Sequence, residues 1–301
     1  MSQPSMFTYE FMQVLMITNN HIKEAVLHEG AMSLTDYCIL QKLLMLDKVT
    51  ELSEFRDFLL LKTNTISIAV SRLEQSGYVS KKLDGRDGRK CCIEITDHGK
   101  DISRRMSHAI RDSLLVHFWK SSDDERINWG MRVDSKAFYL FSGDTERASA
   151  AEEEDDDFVS PSWIMALKYI SLLWTSVLAS ETDLSLNEFR VLQLLMVGRA
   201  PYCSLDIVRN LEIESSVVSR IMRSLRDAGL TETTQSKKDK RSYLSAITQK
   251  GEEAYVKGRC ALERETDKYY STITPSERKR LSSWHKAMFE HCNPGDDFLA
   301  S

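Results

Sequence analysis

KKLDGRDGRKCCIEIT, residues 81–96, carries five basic side chains, two aspartates and two glycines in its first ten positions. Three kinds of site have this composition: a loop that cradles phosphate, a metal site built on cysteines, or a basic finger that contacts nucleic acid. The glycines lack the Lys-Ser/Thr pair and the strand-to-helix context of a phosphate loop. Cys91 and Cys92 are adjacent, so in a strand they face opposite sides, and neither a CxxC motif nor a histidine cluster accompanies them. The stretch is therefore predicted to be a basic β-hairpin in which the cysteines are buried strand residues.

The sequence repeats itself at an offset of 152 residues. SLTDYCILQKLLM at 33–45 aligns with SLNEFRVLQLLMV at 185–197, and the end of the opening stretch aligns with SKKDKRSYLSAIT at 236–248. An internal repeat that keeps its register through loops indicates a duplicated structural unit. The predicted organisation is a first domain at 1–141, an acidic linker at 142–160 that acts as a solvated spacer, and a second domain at 161–301.

Within each copy the periodicity predicts four helices, a β-hairpin and two further helices. In the first copy the first four helices are predicted at 6–29, 34–46, 51–59 and 63–77, the last one capped by a threonine or asparagine and ended by a glycine. A short helix, a tight turn, a longer helix and a basic two-stranded hairpin form a winged helix-turn-helix. The predicted fold class is mainly α with small β-hairpins (α+β): two winged helix-turn-helix domains with long terminal helices of the dimerisation type.

The bulk composition is that of a soluble globular protein. The chain has 301 residues, 42% hydrophobic and 28% charged, and six cysteines, too few for a disulfide scaffold. The formal net charge of −5 misleads, because six acidic residues at 152–157 leave the rest of the chain at +1. The N-terminus lacks a basic leader region, and no apolar run reaches the roughly 18 residues of a membrane span. We expect a cytoplasmic protein with no membrane contact, no metal and no cofactor; no catalytic arrangement stands out, so we expect no enzyme.

The two copies resemble the MarR family of bacterial regulators. The resemblance lies in the serine-containing fourth helix with its late leucine and glycine, and in a wing pattern of Asp-x-Arg followed by Ile-Thr and Gly. The wing residues are Asp87, Arg89, Ile95, Thr96 and Gly99, and Asp239, Arg241, Ile247, Thr248 and Gly251. The resemblance implies a nucleoid-associated, DNA-binding transcriptional regulator, with repression as the favoured direction. It also implies terminal helices that pair the two halves as an intramolecular pseudo-dimer, with further dimerisation of the chain left open.

Residues at the start of each fourth helix and on each wing are predicted to contact double-stranded DNA. Hydroxyl and amide groups bind phosphates or base edges, and an arginine can bind guanine through O6 and N7. The resemblance suggests that each wing aspartate orients an arginine into the minor groove. In the first copy the candidates are Thr63, Asn64, Thr65, Ser67, Ser71, Arg86, Asp87, Arg89 and Lys90; in the second they are Ser215, Ser216, Ser219, Arg220, Arg223, Lys237, Lys238, Asp239, Lys240 and Arg241.

Other roles are open for several of these residues. Thr63 and Ser215 fit helix capping as well as DNA contact, and Arg220 and Arg223 fit a solvated helix face. The fourth helices begin TNTIS and SSVVS, which suggests two non-identical half-sites. The alternatives to a regulator are a protein-interaction adaptor in which one copy no longer binds DNA, and, less favoured, an enzyme on a helical scaffold.

Family members often bind small aromatic effectors, so a pocket for such a ligand is a further expectation. The candidates for its lining are His21, Tyr37, Trp174 and Phe189. Core packing is the alternative role for the aromatic residues.

Overall fold

The computed structural model describes residues 4–59, 62–83, 91–118, 124–151, 159–235 and 243–292. The predicted wing tips at 84–90 and 236–242 and the acidic run at 152–157 lie outside this part of the chain.

The first half contains seven helices and three short strands among the described residues. In chain order they are α1 (Tyr9–Gly30), α2 (Leu34–Leu46), β1 (Thr50–Glu51), α3 (Leu52–Leu59), α4 (Thr63–Gln75), β2 (Val79–Leu83), β3 (Cys91–Ile95), α5 (Asp97–Phe118), α6 (Asp124–Phe141) and α7 (Thr145–Ala150).

Among the described residues the second half repeats the order from α1 to α6. Its elements are α8 (Pro161–Glu181), α9 (Leu186–Gly198), β4 (Tyr202–Cys203), α10 (Ser204–Leu211), α11 (Ser215–Asp227), β5 (Thr231–Gln235), β6 (Tyr243–Ile247), α12 (Gln249–Tyr270) and α13 (Pro275–Cys292). From α2 to α5 every boundary recurs 152 residues later, so the repeat found in the sequence is a repeat of structure. The predicted α+β class is confirmed.

Each half forms a three-stranded antiparallel sheet, in the order β1-β3-β2 and β4-β6-β5. The hairpin register is the same in both: Val79 pairs with Ile95 in the first sheet and Thr231 with Ile247 in the second. The two-residue strands β1 and β4 were not predicted, because two residues are too few to show alternation. They tie the start of α3 and of α10 to the wing.

The interval predicted as a linker is partly folded. Asp144 caps α7, its carboxylate accepting a hydrogen bond of 3.1 Å from the backbone N–H of Arg147. Ala148 and Ala151 before the acidic run, and Val159 after it, are buried. A solvated spacer is therefore left as a prediction for the acidic run alone.

The chain forms two compact units that are not continuous in sequence. One unit contains residues 14–172 and 269–292, and the other contains residues 2–13 and 173–268. Each unit thus combines one winged helix with terminal segments of the other half of the sequence. The predicted boundaries at 141 and 161 describe the sequence repeat. That they also separate two independently folding domains stays a prediction.

Helix α8 is, within the described residues, the one helix whose length and composition would suit a membrane span. Of its most apolar 18-residue window, 56% is buried inside the protein. Trp163, Ile170 and Trp174 are among its buried side chains. A core helix meets the same criterion of length and composition, and this burial favours that role.

A buried carboxyl group links three helices of the first unit. Asp134 of α6 accepts hydrogen bonds from the Tyr270 hydroxyl (2.8 Å) and from the Trp163 indole N–H (3.3 Å). Burial outweighs these hydrogen bonds and raises the pKa of Asp134 from 3.8 to about 7. An acid whose pKa is raised by folding takes up a proton when the chain folds. Its contribution to stability is therefore full below its unfolded pKa and is lost as the pH rises through its folded pKa.

We expect Asp134→Asn to remove this pH dependence. Between about pH 4 and about pH 7, the free energy of unfolding of the native protein should fall relative to that of the variant. The relative fall is at most about 1.4 kcal/mol per pH unit, the value for one proton. Urea denaturation at several pH values measures it, with Glu290→Gln, at an exposed carboxylate of α13, as the control. Parallel curves for the native protein and Asp134→Asn would show that Asp134 does not titrate in this range.

Candidate nucleic-acid interface

Helices α3 and α4 in the first half, and α10 and α11 in the second, form the two helix-turn-helix units. The second helix of each pair buries one apolar face. In α4 this face consists of Ile66, Ala69, Val70 and Leu73, and in α11 of Val218, Ile221, Met222 and Leu225. The spacing of three and four residues leaves the opposite face of each helix exposed. We call α4 and α11 the recognition helices.

Two residues after its last helical residue, each recognition helix is followed by a glycine with a left-handed backbone. Gly77 has φ +73° and Gly229 has φ +72°, a conformation that costs glycine little. The next backbone N–H then turns back to the helix: Tyr78 donates to the Leu73 carbonyl (2.9 Å), and Leu230 donates to the Leu225 carbonyl (2.8 Å). This is the Schellman arrangement, and it directs the chain into the first wing strand.

The Ile-Thr-x-x-Gly pattern after each wing closes on this turn. The Thr96 hydroxyl donates to the Gly77 carbonyl (2.7 Å) and accepts from the Gly99 N–H (3.0 Å). Thr248 makes the same two bonds, to Gly229 (2.8 Å) and from Gly251 (3.1 Å). We call each set the threonine–glycine junction. The pattern that the copies share is thus a structural link between recognition helix, wing and the following helix.

The junction leaves no room for a side chain at its second glycine. A Cβ atom on Gly99 would lie 2.1 Å from the Tyr78 carbonyl oxygen, and one on Gly251 would lie 2.1 Å from that of Leu230. Both contacts are with backbone, which cannot rotate away. This close approach explains why both copies have glycine there.

We expect Gly99→Ala and Gly251→Ala each to destabilise the protein by about 1–3 kcal/mol, the usual cost of overpacking. The sign is informative, because Gly→Ala within a helix ordinarily stabilises by about 0.5–1 kcal/mol. Chemical denaturation measures the effect. Gly30→Ala is the matched control, since its added Cβ would meet the flexible side chain of Met106. A neutral or stabilising effect at Gly99 and Gly251 would contradict the close approach.

A carboxylate at the start of α2 or α9 holds the last turn of each recognition helix. Asp36 caps α2 together with Ser33 and accepts two hydrogen bonds from the Arg72 guanidinium, at 2.7 and 3.2 Å. Its counterpart Glu188 accepts a hydrogen bond of 2.6 Å from the Ser224 hydroxyl. Burial acts to raise the pKa of Glu188, but hydrogen bonds from Ser224 and Ser185 lower it on balance. The halves thus share the contact but use different side chains to make it.

The predicted DNA-facing residues of α4 lie on its open side. Thr63, Asn64 and Thr65 are exposed, and Ser67 and Ser71 are half-buried. Thr63 is the first residue of the helix rather than its cap; the cap position belongs to Lys62, which makes no side-chain capping bond. The capping role considered for Thr63 is therefore wrong.

On α11 all five candidates, Ser215, Ser216, Ser219, Arg220 and Arg223, are exposed. The cap position belongs to Glu214, again without a side-chain capping bond, so the capping role considered for Ser215 is also wrong. The Ser219 hydroxyl donates back to the Ser215 carbonyl (2.9 Å).

Sequence reasoning missed one residue of the exposed face of α4. Ile68 is 50% exposed, and it lies one helical turn after Asn64. Its counterpart in α11 is Arg220, 152 positions later. The spacing of four residues from Asn64 indicates this exposed position, but an isoleucine in an amphipathic helix usually belongs to the buried face.

The wing candidates lie outside the described residues: Arg86, Asp87, Arg89, Lys90, Lys237, Lys238, Asp239, Lys240 and Arg241. Two cations of the opening stretch are described, and both form ion pairs within their domain. Lys81 pairs with Glu74 (2.6 Å) and Lys82 pairs with Glu94. Cys92 is half-buried rather than buried, which corrects the expectation for that cysteine.

Three of the four residues proposed for an effector pocket pack in the core. Tyr37, Trp174 and Phe189 have no exposed surface. The Tyr37 and Ser107 hydroxyls are hydrogen-bonded (3.2 Å), and the Trp174 indole N–H donates to Thr266 (2.8 Å).

His21, the fourth of these residues, is half-buried. Its Nδ1 lies 3.0 Å from the Ser113 hydroxyl, and its ring centre lies 4.3 Å from that of His117. Burial, with the neighbouring His117, lowers its pKa. His21 and Tyr37 belong to one compact unit and Trp174 and Phe189 to the other.

A cavity of about 570 Å³ lies elsewhere in the second half, beside the end of α11. Four carboxylates and two lysines contribute to its lining: Glu181, Asp183, Glu188, Glu253, Lys250 and Lys257. The recognition helix contributes Ser224 and Leu225, and Ala228, which caps its C-terminus, also lines the cavity. No sequence pattern indicated this cavity, because its lining comes from helices far apart in the chain.

The described residues contain no group of three or more histidine, cysteine, aspartate or glutamate side chains placed to hold a metal ion.

Two family models match the sequence, one in each half. Residues 21–106 match the model described as Transcriptional regulator SarA/Rot. Residues 191–251 match the model described as Winged helix DNA-binding domain. The first match runs from α1 into α5 and the second from α9 to Gly251, so each includes a recognition helix and a wing. No curated protein matches the sequence.

Several solved structures are similar to this chain. Wild-type MarR from E. coli in its apo form is 19% identical, with 39% of this chain and 85% of that chain covered and a TM-score of 0.36. A probable transcriptional regulator from Pseudomonas aeruginosa is 15% identical, with coverage of 39% and 89% and a TM-score of 0.35. A Cys-to-Ser mutant of E. coli MarR complexed with operator DNA is 19% identical, with coverage of 39% and 83% and a TM-score of 0.35.

The observed topology and the two family models show a winged helix-turn-helix domain in each half of the chain. The first half is similar to transcriptional regulators of the SarA/Rot type, and the second half is similar to winged helix DNA-binding domains.

Proposed function

We propose that the protein is a sequence-specific DNA-binding repressor whose two winged helices bind two non-identical half-sites of one operator. The observation that carries this proposal is the pair of recognition helices. Each exposes a polar face, and each is held by the same threonine–glycine junction and by a carboxylate of α2 or α9. A rigid support of this kind is what reading base edges in the major groove requires.

The charges of the second recognition helix favour a nucleic-acid partner. Arg220, Arg223 and Arg226 are exposed on α11. Each wing sequence adds a net charge of +3, at 81–90 and at 237–241. Clustered cations bind the phosphate backbone and release counterions, which makes the affinity depend on salt. We place this regulator in the cytoplasm, at the nucleoid, with a role in binding rather than in catalysis.

We propose that one chain supplies both DNA-binding domains as an intramolecular pseudo-dimer. The composition of the compact units supports this, since residues 269–292 belong with the first winged helix and residues 2–13 with the second. The expected stoichiometry is one chain per operator, with further dimerisation of the chain as the alternative.

We expect full-length protein to select a specific duplex from a random library and to lose affinity as salt is raised. Arg89→Ala and Arg241→Ala, made separately, should each weaken binding and lower the slope of log affinity against log salt by about 1. Fluorescence anisotropy at two or more salt concentrations measures both quantities and the stoichiometry. Arg259→Ala, at an exposed arginine of α12, is the control.

The outcomes separate the regulator from the adaptor. A folded chain that selects no sequence is not the proposed repressor, and the protein-interaction adaptor then becomes the better reading. A slope that changes for only one of the two wing variants assigns DNA binding to one copy alone.

We propose further that a small-molecule effector acts through the cavity of the second half. Its lining includes Ser224 and Leu225 of the recognition helix, so a bound ligand would contact the element that reads DNA. Because Glu181 pairs with Arg264, three carboxylates and two lysines of the lining remain, and this excess favours a cationic or amine-bearing aromatic ligand over an aromatic anion. In the first half, the position of Ser224 is taken by Arg72, whose guanidinium pairs with Asp36.

We expect Ser224→Arg to reproduce that ion pair, with Glu188, and to occupy the cavity. An aromatic amine such as tryptamine should raise the Tm of the native protein, and it should have little effect on Ser224→Arg. Thermal unfolding with tryptamine and with salicylate measures the preference, and Ser283→Arg, on α13, is the control. A larger rise in Tm with salicylate than with tryptamine would contradict the preference for a cationic ligand. Equal rises in Tm for the native protein and for Ser224→Arg would contradict binding in this cavity.

A further inference from the structure

Positions 68 and 220 are equivalent in the repeat, and both lie on the outward face of a recognition helix. Ile68 is 50% exposed and Arg220 is exposed, whereas Ile66 and Val218 on the inward faces are buried. A half-exposed isoleucine is not unusual by itself. Its position carries the argument, because it lies in the middle of the surface that would face the major groove.

In the first half the outward face pairs an amide with a branched apolar side chain. Asn64 and Ile68 are four residues apart, so they lie on the same side of α4, separated by about 6 Å along the helix. A carboxamide can bind N6 and N7 of adenine together, and an apolar side chain contacts the 5-methyl group of thymine. At a rise of about 3.4 Å per base pair, the two side chains reach bases about two steps apart.

The one arginine of α4 is not available for reading bases. Arg72 is held by two hydrogen bonds to Asp36, and the neighbouring Lys81 pairs with Glu74. The described part of the first recognition surface therefore offers an amide, hydroxyls and an isoleucine, a set that suits A·T base pairs.

In the second half the same positions hold Ser216 and Arg220. Within the described residues, Arg220 forms no ion pair or side-chain hydrogen bond, so its guanidinium stays available for a ligand. A guanidinium binds O6 and N7 of guanine with two hydrogen bonds. At the equivalent position of the second half, the apolar side chain is thus replaced by a guanidinium with two donors, which prefers guanine where the apolar side chain prefers thymine.

We propose that the two half-sites differ in base composition at this position: Ile68 reads the methyl group of a thymine, with Asn64 on a nearby adenine, and Arg220 reads a guanine. This inference rests on the proposed function, since it assigns the bases that the same DNA-binding surfaces select.

The experiment uses base analogues in the duplex that the full-length protein selects. Deoxyuridine replaces each thymine in turn and removes only the 5-methyl group; 7-deazaguanine replaces each guanine in turn and removes only the N7 acceptor. We expect one deoxyuridine position in the first half-site to weaken binding about fourfold, the value for one buried methyl group. We expect one 7-deazaguanine position in the second half-site to weaken binding about fivefold or more.

Two substitutions assign these effects to residues. With Ile68→Ala, the sensitivity to deoxyuridine should disappear and the sensitivity to 7-deazaguanine should remain; with Arg220→Ala, the reverse is expected. Ile68→Arg should bind more tightly when a guanine replaces that thymine in the first half-site, and this gain should be lost with 7-deazaguanine. Leu27→Ala, at a residue of α1 that is 61% exposed, and Arg259→Ala, at an exposed arginine of α12, are the controls and should leave both sensitivities unchanged. All four positions are exposed, so circular dichroism should show unchanged folding.

The inference and the proposed function fail in different ways. A folded chain that selects no duplex overturns both. A chain that selects a duplex and binds it with steep salt dependence supports the function; equal responses of the two half-sites to each analogue then overturn the inference alone. Deoxyuridine sensitivity that persists in Ile68→Ala, or 7-deazaguanine sensitivity that persists in Arg220→Ala, also overturns it.

Discussion

Both winged helices depend on one close contact between backbones. A glycine in the first turn of α5 or α12 lies against the carbonyl oxygen of the residue that follows the glycine after the recognition helix. A Cβ on Gly99 or Gly251 would lie 2.1 Å from that oxygen, so the backbones meet only because no side chain intervenes. The same approach brings the Thr96 and Thr248 hydroxyls to the carbonyls of Gly77 and Gly229. The end of the recognition helix, the base of the wing and the start of the next helix are thereby fixed together. Side chains on the outer face of the helix are then presented from a rigid frame.

The halves differ where this frame meets α2 and α9. In the first half the long Arg72 side chain binds Asp36 with two hydrogen bonds, and in the second half the short Ser224 side chain binds Glu188 with one. A serine is smaller than an arginine, and Ser224 lines the cavity of the second half. The difference between Arg72 and Ser224 therefore changes both the hydrogen bonds that hold the recognition helix and the space beside that helix. The copies also differ at an equivalent position on the outward faces of α4 and α11, where the first copy has Ile68 and the second has Arg220.

Much of the local structure follows from the sequence because it depends on near neighbours. The predicted helix at 34–46 is α2 as observed, and the glycine predicted to end the fourth helix, Gly77, follows α4 with a left-handed backbone. Residues without a periodic signal were missed, among them the two-residue strands β1 and β4 and the helix α7. Tyr37, Trp174 and Phe189 illustrate the limit for sites. The sequence does not distinguish an aromatic residue that lines a pocket from one that packs in the core. Only tertiary contacts, such as those of Tyr37 with Ser107 and of Trp174 with Thr266, show that these residues are buried.

By itself the sequence determined the duplication, the order of the elements and the winged-helix fold, because periodicity, caps and turn residues act over a few positions and the repeat doubles each signal. The tertiary structure alone decided which segments form each compact unit, which cations are used in ion pairs and where the cavity lies. These depend on contacts between residues distant in the chain, such as Asp36 with Arg72 or Asp134 with Tyr270. The energy of such contacts comes from burial and geometry that no local pattern records. The opening stretch shows both: its pattern predicted the hairpin, and only the fold showed that Lys81 and Lys82 pair with Glu74 and Glu94.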